Sequence, residues 1–479
     1  VKWLRILLLW AALAAAHAPA LAARPESDLP TTDVAATASP GAKDEYRDDH
    51  QLLVMLRLPA THYRPDASYG GRYIEDNSRN ARQRRAEALA RQHGLTLVEG
   101  WAMPVLGIDC YVMRYPDTAN AEQLIAQLAR DPQVEWAQPV ARFEGMAMSQ
   151  TAGAAVAADL DAELAGDPLY RVQPAARYWH VAELHRYTSG RDVKVAVIDS
   201  GIDAFHPDLQ GQLALNNNFV DAGPAPPENH GTAVAGIIAA RVGGGGILGI
   251  APRAKVMGLR ACWQQRDLVT RCNSFTLSKA INFAIQNGAQ IINLSLSGPP
   301  DRLLDRLLDV ALERGISVVG AIDPRATGAA FPASHRGVLA VAAQPRFEPA
   351  QTAPIPRLTS APGAIALAQP GSAARVSGDS DGSAGADPPL LAPGNDIPTS
   401  APGGRWVFVS GSSYAAAHVS GMLALLDELR PGASPAQMRA LIQSGAALHA
   451  ATIDACTAIS RLVRDLSCVR TLSQRGAAP

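Results

Sequence analysis

The chain has 479 residues, 47% of them hydrophobic, with 43 Lys and Arg against 44 Asp and Glu. That length exceeds one ordinary core, so at least two domains are expected. A net charge of −1 supplies neither a basic surface nor an acidic tail, so nucleic-acid partners are not expected.

Lys2 and Arg5 precede the apolar run 6–16, and Ala20-Leu21-Ala22 offers a small-residue cleavage site. Residues 1–22 read as a secretory signal peptide, too short and too weakly flanked for a membrane anchor. No later stretch is long and apolar enough to span a bilayer, and a secreted or periplasmic location is expected. Residues 23–49, rich in Pro, Thr, Ala, Asp and Ser, read as a disordered linker.

Residues 50–145 read as a small α+β domain. Strands are predicted at 52–58, 95–101, 108–115 and 134–140. One helix covers 80–92 and stops at Gly94. A second starts at Asn120, with Gln123 three residues on as in a capping box. The order βαββαβ is the split ferredoxin-like unit. Residues 146–166 are alanine-rich, without an aromatic, and read as an exposed joint of the kind where cleavage concentrates.

From residue 167 to about 446, strands alternate with helices. Apolar strands are predicted at 193–198, 255–261, 290–296, 316–322 and 338–343. Helices are predicted at 230–241, 274–287, 302–314, 413–430 and 435–444. This is the pattern of an α/β domain with a parallel sheet flanked by helices. Residues 344–390, rich in Pro, Ala, Gly and Ser, interrupt it and read as an inserted surface loop. Residues 447–479 form a C-terminal extension. Of the five cysteines, Cys262 and Cys272 flank one short loop, and Cys456 and Cys468 flank another. Local pairs are the simplest arrangement in an oxidising compartment, and Cys110 is left over.

Three residues carry the chemistry. Ser413 stands between a small-residue turn and a long apolar run, at the first turn of a predicted buried helix. Free N–H groups and the helix dipole favour negative charge there. A capping serine would look the same. Asp199, at the carboxyl end of its strand, and His230, opening a helix of small residues, change that reading. A serine nucleophile needs a base, and the base needs a carboxylate to fix its tautomer. Asp, His, Ser is one of the chain orders in which such triads occur.

At this point the chain resembles the subtilase family of serine peptidases. The resemblance rests on Ala196-Val197-Ile198-Asp199-Ser200-Gly201, His206-Pro207-Asp208-Leu209, His230-Gly231-Thr232, Gly249-Ile250-Ala251-Pro252, Asn293-Leu294-Ser295-Leu296, Leu391-Ala392-Pro393-Gly394 and the Ser413 stretch. It implies a subtilisin-like catalytic domain over 167–446, with Asp199, His230 and Ser413 as an Asp-His-Ser triad that hydrolyses peptide bonds through an acyl-enzyme. It implies that residues 50–145 are a propeptide, serving as folding aid and intramolecular inhibitor. Ser295, Leu296, Ser297 and Gly298 would line the substrate cleft and pair with an extended protein or peptide substrate. Asp203 and His206 are expected to be structural.

There are departures. Ser412 and Ala417 stand where the family often has Thr and Pro. Asp323 stands where the family's strand ends in an oxyanion-hole Asn; an ionised carboxylate cannot donate there, so it would serve as a neutral donor or turn away. Many members ligate calcium partly through an Asn in the loop before Gly-Ile-Ala-Pro. Here that loop is Gly243-Gly244-Gly245-Gly246, with Asp208 as the one acidic residue nearby. No cofactor or metal is expected, and the calcium site should be lost or weak. The alternative is a catalytically impaired member acting as a binding scaffold. An α/β-hydrolase esterase is disfavoured, because Ala415 replaces the last Gly of Gly-x-Ser-x-Gly and the acid and His lie upstream.

Overall fold

The computed structural model describes residues 50–58, 71–147, 149–152, 167–326, 330–345, 389–444 and 453–464. The expected signal peptide, the linker, Cys468 and most of the joint and of the insertion lie outside these residues.

Strand β1 (Gln51–Arg57) is buried from Leu52 to Leu56 on both faces, although it opens a small domain. Its alternation explains why. Leu52, Val54 and Leu56 join Ala86, Leu89 and Ala90 of α1 (Gly71–Gln92) and Leu124 and Leu128 of α2 (Ala121–Leu128). Leu53 and Met55 point the other way, into a cluster shared with the second domain. With β2 (Thr96–Met103), β3 (Ile108–Arg114) and β4 (Val134–Pro139), β1 forms an antiparallel sheet in the order β2-β3-β1-β4. That is the ferredoxin-like order. Asn120 caps α2 by accepting the Gln123 N–H. Helix α1 begins nine residues before the predicted start, because its first turns carry no apolar stripe. Beyond it come two short strands, β5 (Arg142–Gly145) and β6 (Ser149–Ala152). The expected joint is therefore partly strand, and Met146 and Ala147 are half-buried.

The second domain opens with two short helices, α3 (Pro174–Tyr178) and α4 (Val181–Leu184). Its sheet has seven parallel strands. In chain order they are β7 (Lys194–Asp199), β8 (Leu213–Asn218), β9 (Lys255–Arg260), β12 (Ile291–Leu294), β14 (Ser317–Ala321), β15 (Leu339–Ala343) and β16 (Leu390–Ala392). In space the order is β16-β15-β14-β12-β7-β9-β8. Val195 and Val197 of β7 face α5 (Asn229–Ala239) and α8 (Ser412–Leu429). Ala196 and Ile198 face α6 (Ser274–Gln286) and α7 (Arg302–Glu313). A strand with no polar face thus finds apolar cover on both sides. Helices α9 (Pro435–Ser444) and α10 (Ala455–Ser460) complete the α8 side.

Two hairpins were not expected from the sequence. One joins β10 (Cys262–Gln264) to β11 (Thr270–Asn273), and the other joins β17 (Ile397–Ala401) to β18 (Arg405–Ser410). The two-residue β13 (Leu296–Ser297) follows β12 directly. The Cys262–Cys272 disulfide is present across the first hairpin, and Cys110 is free and buried. Cys456 is disulfide-bonded; its expected partner is outside the described residues.

His418 of α8 is buried, donates from Nδ1 to the Tyr414 carbonyl and meets Trp179 edge-on. Burial pushes its imidazole down to about 4, against the hydrogen bond, which raises it. In the unfolded chain a His titrates near ~6.5. The folded state therefore resists protonation. This contribution to stability is complete above ~6.5 and is lost as pH falls towards the folded value. Comparing the chain with His418→Gln by urea unfolding, the stability difference should shift by on the order of 3 kcal/mol against the wild type between about pH 7 and about pH 4. A difference that stays constant with pH would contradict the assignment.

Candidate active site

Parallel α/β sheets gather chemistry at the carboxyl ends of their strands. β7 ends there on Asp199, and α5 brings His230 in its first turn. His230 Nδ1 lies 2.7 Å from Asp199 Oδ1, and both side chains are only 3% exposed. Asp199 Oδ1 also accepts the Ser200 N–H at 2.7 Å. The carboxylate fixes the proton on Nδ1, which leaves the Nε2 lone pair outward. Nε2 makes no hydrogen bond.

A second charged group holds these two elements together. Glu228 precedes α5, and its carboxylate accepts the Gly201 N–H beyond β7 at 2.5 Å and the Gln264 N–H at 2.9 Å. Arg260, beside Asp199 in the sheet, grips Glu228 through two nitrogens at 3.0 and 3.2 Å and reaches Asp221 at 2.9 Å. Such a bidentate pair, nearly free of solvent, fixes direction as well as distance.

Ser413 is the second residue of α8 and fully buried. Gly411 before it has φ 148°, a conformation that favours glycine and lets β18 turn directly into the helix. The Ser413 hydroxyl donates to the Ser295 carbonyl at 2.8 Å and not to His230.

The cleft beside these residues is filled by the chain itself. β5 lies antiparallel between β11 and β13, with Glu144 opposite Arg271 and Ser297, and Gly145 opposite Leu296. The next N–H, of Met146, donates to the Ser295 carbonyl at 3.2 Å. The Met146 carbonyl accepts the Ser413 N–H at 3.4 Å. The Met146–Ala147 peptide bond is thereby held next to Ser413. Within the stretch 295–298, Leu296 and Ser297 pair with this extended segment of the same chain, and Gly298 bridges Phe331 instead.

Side chains before that bond are closely fitted. Phe143 is 1% exposed and meets Phe331 edge-on at 5.6 Å. Gly298 leaves room for it, since a Cβ there would come 2.2 Å from the ring. A Cβ on Gly145 would lie 3.1 Å from Thr270 and 3.4 Å from the His230 ring. Glu144 lies 3.9 Å from Arg271.

Asp323 follows β14. Its Oδ1 accepts the Arg325 N–H at 2.9 Å and lies 3.9 Å from Arg325 Nε, with the side chain 24% exposed. Asp203 and His206 both bond to backbone groups. Asp203 accepts the Phe205 and Gly403 N–H groups, and His206 bonds the Arg405 carbonyl at 2.9 Å.

The loop 243–246 turns backbone N–H groups towards a carboxylate. A cation needs converging oxygens. Here N–H groups point inward: Gly243 donates to Asp167 at 2.8 Å and Gly245 at 3.4 Å. Burial pushes the Asp167 carboxyl up, against these bonds. Asp208 Oδ2 accepts the Trp406 indole N–H at 2.7 Å and the Ser400 hydroxyl at 3.0 Å, and Oδ1 has no partner. Gly246 admits the indole, because a Cβ there would fall 1.7 Å from Nε1. Among the described residues no group of three or more His, Cys, Asp or Glu could hold a metal.

Comparison with known proteins agrees with this architecture. The profile described as the subtilase family matches residues 190–465. A thermophilic serine proteinase of Bacillus sp. (strain AK1) is 31% identical over 316 residues, which are 64% of this chain and 66% of that protein. Subtilisin E of Bacillus subtilis (strain 168) is 32% identical over 262 residues, 54% of this chain and 61% of that one. The chain thus spans about two thirds of the length of these curated relatives. The crystal structure of fervidolysin from Fervidobacterium pennivorans, a keratinolytic enzyme related to subtilisin, shares the fold. Its TM-score is 0.60 at 20% identity, covering 86% of this chain and 61% of that one.

Stability should therefore be indifferent to a calcium chelator. Trp406→Phe, which removes a hydrogen bond to a buried carboxylate, should cost about 1.5–3 kcal/mol that added calcium does not restore. Thermal unfolding with and without chelator decides it; a chelator-induced fall in the wild-type Tm is the contrary result.

Proposed function

The chain belongs to the subtilase family, and from that premise we propose that it is a serine endopeptidase that matures by cutting its own Met146–Ala147 bond. One observation carries this reading: the Met146 carbonyl rests on the Ser413 N–H beside the Asp199–His230 pair. That is where a scissile carbonyl must sit for a serine to attack it.

The chemistry follows from the atoms present. A turn of the Ser413 side chain off the Ser295 carbonyl frees its hydroxyl for His230. Nε2 takes the proton as Oγ bonds to the carbonyl carbon, and Asp199 stabilises the imidazolium. The carbonyl oxygen becomes an oxyanion against the Ser413 N–H. The C–N bond breaks, His230 returns the proton to the leaving amine, and the acyl-enzyme remains. Water then gives a proton to His230 as its oxygen bonds to the acyl carbon; the C–Oγ bond breaks and His230 returns the proton to Oγ, releasing acid and serine. Asp323 is the second oxyanion group in this reading, a donor when it carries a proton.

Residues 50–146 act before the cut as an inhibitor that occupies the cleft as substrate does. Other proteins and peptides bind in the same place afterwards. Residues 1–22 direct export; no helix of the described residues is long and apolar enough to cross a membrane. The scaffold reading draws on Asp323 alone.

Two measurements test the proposal. Ser413→Ala should remain full-length after residue 147, whereas the wild type should yield a new N-terminus at Ala147 by N-terminal sequencing. Normal cutting of the variant in the absence of other proteases would remove self-processing. Asp323→Asn supplies an amide donor at every pH. It should raise kcat/KM by up to about 10²-fold if the donor is otherwise lost. Equal kcat/KM for the two forms would exclude Asp323 from the oxyanion hole.

A further inference from the structure

Three elements meet at Glu228. The first is the end of β7. The Gly201 N–H donates to the Glu228 carboxylate at 2.5 Å, and the Glu228 N–H donates back to the Gly201 carbonyl at 3.0 Å. Asp199 stands just before this double link. The second is the start of α5, which Glu228 precedes and which Thr232 ties back by donating to the Glu228 carbonyl at 2.7 Å. The third is β10. Gln264 donates its N–H to the Glu228 carboxylate at 2.9 Å, and its side-chain oxygen accepts the Asn229 N–H at 2.9 Å.

β10 is not an isolated strand. Gln264 lies opposite Thr270 of β11, the Cys262–Cys272 disulfide closes the same pair, and β11 holds β5 by its other edge. One carboxylate thus joins the strand end that carries Asp199, the helix start that carries His230 and the hairpin that receives an extended segment.

We infer that Arg260 and Glu228 are positioning residues, which set where His230 Nε2 stands relative to a peptide held on β11. This rests on the peptidase reading above. Arg260 is 6% exposed, and while two of its nitrogens hold Glu228, the third reaches Asp221 at 2.9 Å and Asn218 at 3.1 Å. A buried ion pair of this kind adds little net stability over apolar residues of the same volume. Its two-point geometry fixes angle as well as distance, which an apolar contact does not. Proton transfer is sensitive to both, since a misplacement of about 1 Å can cost on the order of 10²-fold in rate. Arg260 and Glu228 act through Asp199 and His230 rather than on the reacting atoms.

The test uses the full-length protein, expressed and left to process itself, with the peptide Arg-Phe-Glu-Gly-Met-Ala-Met. Arg260→Lys keeps the charge but offers one nitrogen where the guanidinium offers three. Glu228→Gln keeps the shape and exchanges one accepting oxygen for an N–H group. Each should lower kcat by about tenfold or more and change KM by less than about threefold, since the contacts to the bound peptide are untouched. The proton resonance of His230 Nδ1–H, displaced far downfield by the bond to Asp199, should broaden or move in both variants. A merely structural role would move neither kcat per folded molecule nor that resonance. Asp221→Asn alters a half-exposed side chain and removes one anchor of Arg260, so it tests the same unit if the other two variants fail to fold. It should lower kcat by about twofold to fivefold, in step with the resonance. Wild-type kcat and an unmoved resonance in the variants that fold, with or without a change in KM, overturn the positioning role and leave the peptidase reading standing. A wild type that does not cut the peptide overturns both.

Discussion

The burial of α8 is the constraint on which the rest of the site depends. Every residue from Ser412 to Asp427 is buried. The helix has no polar face to turn outward, so its rotation is set by packing against α5 and the sheet. That rotation aims the Ser413 N–H at the cleft. Ser420 and Ser295 tie the helix to β12 and its end: Ser420 donates to Asn293 at 2.8 Å, and Ser295 donates to the Ser413 carbonyl at 2.9 Å. A donor that is immobile before the reaction pays no reorganisation cost during it.

On that fixed helix the state described here is one of restraint. The cleft holds a peptide bond in place, yet the serine hydroxyl is spent on a neighbouring carbonyl and His230 Nε2 has no partner. In the proposed reaction the carbonyl is positioned and the proton transfer is not connected.

Much of this was legible in the sequence, for specific reasons. Asp199, His230 and Ser413 each sit in a local stretch whose residue types are forced by the turn or helix they open. The five central strands are apolar runs, the first four with helices between them, and their limits moved by only a few residues. What was not legible was made by pairing. Arg142-Phe143-Glu144-Gly145 has no strand pattern, and it is a strand because β11 and β13 offer it two edges. The role of Arg260 at the end of β9 depends on Glu228, 32 positions away. The glycine loop 243–246 announced that a side-chain oxygen was missing, but the indole that serves Asp208 comes from a distant hairpin. Helix α1 began early because charge, unlike hydrophobic period, does not mark where a helix starts.

The small domain touches the large one through more than β5. Lys279 of α6 reaches Glu99 at 2.9 Å, and Arg302 and Arg306 of α7 both lie over the Trp136 ring, at 4.9 and 4.7 Å. All of these contacts are made by residues before Met146. Cutting the chain after Met146 would break none of them. It would change only the bookkeeping of concentration: one chain's own segment, held at an effective concentration set by its tether, would become a separate molecule bound by mass action. In a crowded compartment the two pieces would remain together, and in a large volume they would part. Dilution alone could then decide when the cleft opens to other chains.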